Sequence, residues 1–78
     1  MMKIEILGAG CFKCKKVYEN VKKALEETGV DADVEKIEDM NKIINYGVMI
    51  TPALVIDGKI KASGRIPNHE EIKIWLQE

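Results

Sequence analysis

Two cysteines, Cys11 and Cys14, stand three positions apart and are all the thiols the chain has. A pair at that spacing can cycle between dithiol and disulfide, or offer two sulfur ligands to a soft metal. The redox reading needs a thiolate, because the thiolate is the nucleophile. The local sequence supplies the setting for one. An apolar run, Ile4 to Leu7, leads into the pair, and a periodic segment, Val17 to Thr28, leads out. The cysteines therefore fall at a strand-to-helix junction. The first N–H groups of a helix have no partners inside it and carry the positive end of its dipole. Lys13, Lys15 and Lys16 add positive charge on the same turn. Cys11 is outermost, beside Gly8-Ala9-Gly10, and is expected to be the nucleophile. Cys14 lies one turn further in, toward the apolar stripe, and is expected to be the resolving thiol.

The metal reading is weaker. A closed zinc site takes four ligands, and two sulfurs fill half of it. The one histidine, His69, lies far along the chain. No metal is expected without a partner molecule to complete the shell. The alternative kept open is a soft-metal carrier for copper or zinc using the same two cysteines. Proteins of that kind with a ferredoxin-like fold run βαββαβ and end in a strand. This chain ends in Asn68-His69-Glu70-Glu71-Ile72-Lys73-Ile74-Trp75-Leu76, which reads as a capped helix.

Length and composition narrow the classes. Seventy-eight residues make one domain, expected over 1–78, with a small core. With 46% hydrophobic and 32% charged residues the chain is globular rather than disordered. A net charge of −1 gives no electrostatic case for nucleic acid or an anionic membrane. The first residues, Met1-Met2-Lys3-Ile4-Glu5, lack the apolar region of a secretory leader, so a cytoplasmic location is expected. In a reducing compartment a cysteine pair more often does chemistry than staples a fold. A Cys11–Cys14 disulfide would close too small a loop to stabilise much.

The elements that must position the pair follow from periodicity. Lys3 to Leu7 is a strand closed by Gly8, and Phe12 to Thr28 a helix stopped by Gly29. Asp31 to Ile37 reads as a charged edge strand. Asp39 caps a short helix with Met40, Ile43 and Ile44 as its apolar face, ended by Gly47. Ala53 to Ile56 is an apolar strand entered at Pro52, and Asp57-Gly58 turns it into Lys59 to Ser63. On that return strand, simple alternation puts Ile60 and Ala62 on one face. Asn68 and Glu71 form a capping box for a last helix with Ile72, Trp75 and Leu76 inward. The order is β-α-β-α-β-β-α. The fold class is α/β, with a four-stranded mixed sheet and helices on both faces.

That order, with Gly8-Ala9-Gly10-Cys11-Phe12-Lys13-Cys14, Thr51-Pro52-Ala53-Leu54-Val55-Ile56-Asp57-Gly58 and Gly64, resembles the small archaeal and bacterial redox-active disulfide proteins of the thioredoxin-like, glutaredoxin-sized family. The resemblance implies a minimal thioredoxin fold and a cis Thr51–Pro52 bond facing the cysteines. It implies substrate binding by Thr51, Pro52 and Gly64, and thiolate stabilisation by Lys13 and Lys15. It also makes Glu5, six positions before Cys11, a proton acceptor for the resolving cysteine; read by itself, Glu5 is a partly exposed strand glutamate. The activity implied is that of a thioredoxin- or glutaredoxin-like dithiol–disulfide oxidoreductase, a redox carrier with no cofactor beyond its Cys11–Cys14 disulfide. Its partners would be disulfide-containing proteins and a thioredoxin-reductase-like electron donor, with the chain itself a monomer. Phe12-Lys13 stands between the cysteines without the proline usual there, and Arg65-Ile66-Pro67 follows Gly64 where glutaredoxins place small and acidic residues for glutathione.

Overall fold

Isoleucine at alternate positions needs a covered face, and the first strand has one on each side. In the computed structural model, which describes residues 2–8, 12–48 and 50–78, β1 spans Met2–Leu7. Ile4 and Ile6 are buried on one face and Leu7 on the other. Strand β2 (Ala32–Ile37) runs parallel to β1, from Met2 opposite Ala32 to Leu7 opposite Ile37. Strand β3 (Ala53–Ile56) runs antiparallel on its other side, from Ile4 opposite Ile56 to Leu7 opposite Ala53. Strand β4 (Lys59–Ser63) completes a four-stranded mixed sheet in the order β2-β1-β3-β4. The two inner strands carry the apolar runs, and the charged β2 lies at an edge, where exposed charges discourage further pairing.

The helices divide between the faces. Helix α1 (Phe12–Thr28) buries Val17, Val21 and Ala24 against Ile4, Ile6, Leu54 and Ile56. Helix α3 (His69–Leu76) adds Ile72 and Leu76 to that cluster. On the opposite face, α2 (Met40–Asn45) contributes Ile43 to a second cluster with Leu7, Ile37, Val48, Ala53 and Val55. Asp39 caps α2 by accepting from the Asn41 N–H at 2.9 Å. None of the helices is long and apolar enough to cross a membrane, among the described residues.

Two expectations are corrected. Ile60 and Ala62 do not share a face. Leu54 pairs with Ala62 but Val55 pairs with Ile60, so Lys61 is the extra residue of a β-bulge. Opposed residues share a face. Ala62 therefore joins the α1/α3 cluster, while Ile60 turns to the other side and stays 44% exposed. In α2, Met40 and Ile44 are not inward: they are 53% and 63% exposed, and Ile43 alone is buried. A helix of six residues presents too little length to bury a whole stripe.

The capping box of α3 is complete. Asn68 Oδ1 accepts from the Glu71 N–H at 2.9 Å, and Glu71 Oε1 accepts from the Asn68 N–H at 3.4 Å. Arg65 clamps the same carboxylate with two bonds of 3.0 and 2.9 Å. Asn68→Ala removes the cap and should lower stability by about 1 kcal/mol. A lower urea midpoint at unchanged slope is the expected reading, and an unchanged midpoint would refute this account of the helix start.

Candidate redox site

Cys14 opens the inward stripe of α1. With Val17, Val21 and Ala24 it follows the helical spacing of a buried face, and it is only 6% exposed. Phe12, Lys13, Lys15 and Lys16 point outward on the same turn. Gly8, just past β1, is held to the sheet by its N–H, which donates to the Ile37 carbonyl at 2.9 Å. A methyl group at Gly8 would overlap the Cys14 sulfur and would stand 3.7 Å from the Thr51 Cβ. The missing side chain at Gly8 is what lets thiol and threonine approach the end of the central strand together.

The Thr51–Pro52 bond is cis, and Pro52 is buried. Gly64 lies beside this step: its N–H donates to the Pro52 carbonyl at 2.9 Å. It has φ +76, and a Cβ there would come within 2.7 Å of Ile50 Cγ2. Ser63 Oγ donates to the Ile50 carbonyl at 2.9 Å, fastening the same segment to β4. The fold thus gathers Cys14, Thr51, Pro52 and Gly64 at one end of the sheet. Cys11, with Ala9 and Gly10, lies outside the described residues.

A groove of about 270 Å³ opens beside Cys14, walled by Gly8, Phe12, Lys15, Lys36 and Glu38. Lys15 reaches this wall, and Lys13 is not part of it. Lys36 and Glu38 had no functional signal in the sequence. The parallel register that sets Ile6 opposite Lys36 carries them to the site. Lys36 also lies over the Tyr18 ring, 4.5 Å from its centre. Phe12, 82% exposed, is an uncovered aromatic at the rim.

Glu5, which read by itself is a partly exposed strand glutamate, is buried, only 5% exposed. Alternation puts it with Leu7 on the α2 face, away from α1. There the Tyr46 hydroxyl donates a hydrogen bond to its carboxylate. That bond first, then burial, then the negative charges of Glu5 and Glu35 push the Tyr46 phenol up to about 12. No local signal in the sequence joins Tyr46 to Glu5, since 41 positions separate them.

Among the described residues, the group with metal-ligand spacing is Glu27, His69 and Glu70. It contains no cysteine. Lys73 shares both carboxylates, at 3.8 and 3.9 Å, so the group is an ion-pair cluster between α1 and α3.

A thiol at a helix start, against a glycine that ends the central strand and beside a Thr-Pro step, in this mixed α/β sheet, defines the thioredoxin-like class of redox proteins. The thioredoxin domain family model matches residues 2–77, and the chain belongs to that family of thiol–disulfide oxidoreductases. It is 49% identical over 77 residues to a thioredoxin of Methanocaldococcus jannaschii, covering 99% of this chain and 88% of that one. It is 44% identical over 73 residues to a thioredoxin of Methanothermobacter thermautotrophicus, covering 94% and 95%. A probable thioredoxin of Methanothermobacter marburgensis is 38% identical over 76 residues.

Two outcomes are expected from this geometry. Gly8→Ala drives a methyl into the Cys14 sulfur and should cost about 1–3 kcal/mol, the usual range for overpacking, measured by chemical denaturation. Alkaline titration should report the Tyr46–Glu5 bond. The phenol ionises near 10.0 in the unfolded chain and near 12 in the folded one. Between those values the unfolded chain binds fewer protons, so stability falls as pH rises. The contribution is complete below pH 10 and gone above about 12. Tyr46→Phe should remove that part of the slope.

Proposed function

We propose that the chain is a dithiol–disulfide carrier that reduces protein disulfides through Cys11 and Cys14. The Cys11 thiolate attacks one sulfur of a substrate disulfide. One substrate sulfur leaves as thiolate and takes a proton, and the other stays in a mixed disulfide with Cys11. The Cys14 thiolate then attacks Cys11, releases the second substrate thiol and leaves the Cys11–Cys14 disulfide. Two electrons pass to the substrate, and a dithiol donor of the thioredoxin-reductase type returns them in a reducing compartment. No organic cofactor or metal enters the cycle.

The observation that carries this reading is Cys14, seated in the first turn of α1 against Gly8 and beside Thr51. The Thr51 main chain would pair with an extended substrate strand, as in β-strand addition. Lys15, and Lys13 at longer range, would favour the thiolate form. The shelter of Cys14 fits a resolving thiol, attacked only from within the mixed disulfide.

Single-cysteine variants test the roles. Cys14→Ser should keep the first attack and accumulate a mixed disulfide visible by mass spectrometry, while Cys11→Ser should lose reaction with disulfides. Activity retained by Cys11→Ser, with no adduct on Cys14→Ser, would reverse the assignment.

A further inference from the structure

Helix α2 is lightly held. Ile43 is its one buried residue, and its other large apolar side chains, Met40 and Ile44, face solvent. Yet α2 and Thr51 share a wall: Met40, Ile43, Ile44, Val48 and Thr51 line one apolar cavity of about 500 Å³. Tyr46 stands at the C-cap of α2, its backbone N–H satisfied by the carbonyls of the last turn. Its hydroxyl reaches down to Glu5, a buried carboxylate of the central strand. Glu5 lies three positions before Gly8, where Cys14 and Thr51 meet. Among the described residues Tyr46 is the hydrogen-bonding partner of the Glu5 side chain. The remaining groups around this carboxylate, Lys3, Glu35, Lys42 and Asn45, line a cleft of about 370 Å³ without hydrogen-bonding it.

We propose that Tyr46 is a positioning residue for protein-disulfide exchange: its hydrogen bond to Glu5 ties α2, and with it the Thr51 wall of the substrate platform, to the strand that ends at the thiols. The phenol stays protonated through the physiological range, so the tie is present whenever the protein works. Its job is to hold the platform still for a partner's main chain. A small disulfide that meets the thiolate without using that platform does not need it. This inference rests on the reading of Thr51 as the substrate-pairing strand.

The test compares two probes on the reduced full-length protein, insulin as a protein disulfide and dithiobis(nitrobenzoate) as a small one. Tyr46→Phe keeps the ring and removes the hydroxyl. It should slow reduction of insulin by about threefold to tenfold, the weight of one hydrogen bond, and leave the small-disulfide rate near wild type. Glu5→Gln keeps an oxygen that accepts from the phenol, so the ratio of the two rates should stay near wild type; Glu5→Leu should shift it as Tyr46→Phe does. Equal slowing of both probes in Tyr46→Phe would move the effect to the cysteine chemistry and overturn the proposal. So would unchanged rates with a lower melting temperature, or a shifted ratio in Glu5→Gln. If wild-type protein reduces neither probe, the redox reading fails instead. The tie is then judged by amide hydrogen exchange, which should quicken over α2 and at Thr51 in Tyr46→Phe and would sink the proposal by not doing so.

Discussion

A strand covered on both faces has no solvated side, and β1 is such a strand from Ile4 to Leu7. Every side chain it sends inward must be apolar or must bring a partner with it. Ile4 and Ile6 meet this by packing under α1 and α3, and Leu7 by packing under α2. Glu5 meets it through Tyr46. The rest of the architecture answers to this one demand. Two helices must cover one face and something must cover the other, so the chain crosses the sheet twice.

The same strand decides where chemistry can occur. Among the described residues, its last hydrogen bond to β2 is made by Gly8. A helix start, a buried thiol and the Thr-Pro step converge there because a residue without a side chain leaves room for them. The end of a doubly covered strand has a floor of packed side chains beneath it. The lysines on the rim supply positive charge without having to be buried.

The two faces are not held equally. The α1/α3 face carries the larger cluster, reaching from Ile4 to Leu76 and including two strands besides β1. The α2 face holds one helical residue, Ile43, and leaves Met40 and Ile44 uncovered. Local stability follows buried contact, so α2 belongs to the more readily opened part of the molecule. A single polar contact weighs more there than it would in the main core.

The features legible in the sequence were those written in neighbouring residues. The bounds of α1, the Asp57-Gly58 hairpin and the Asn68–Glu71 capping box depend on propensity and hydrogen bonds a few positions apart. The spacing of Cys11 and Cys14, and the place of Cys14 in the first turn of the helix that follows β1, were equally local. Tertiary structure alone decided the bulge at Lys61, which turns Ile60 away from Ala62, and the solvent exposure of Met40 and Ile44. It alone buried Glu5 beneath Tyr46 and brought Lys36 and Glu38 to the wall beside Cys14. Those outcomes hang on which strands become neighbours, in what register, and how far a short helix reaches. A side chain's neighbours across a sheet come from the whole chain's packing, whereas periodicity tells only which residues share a face of their own element.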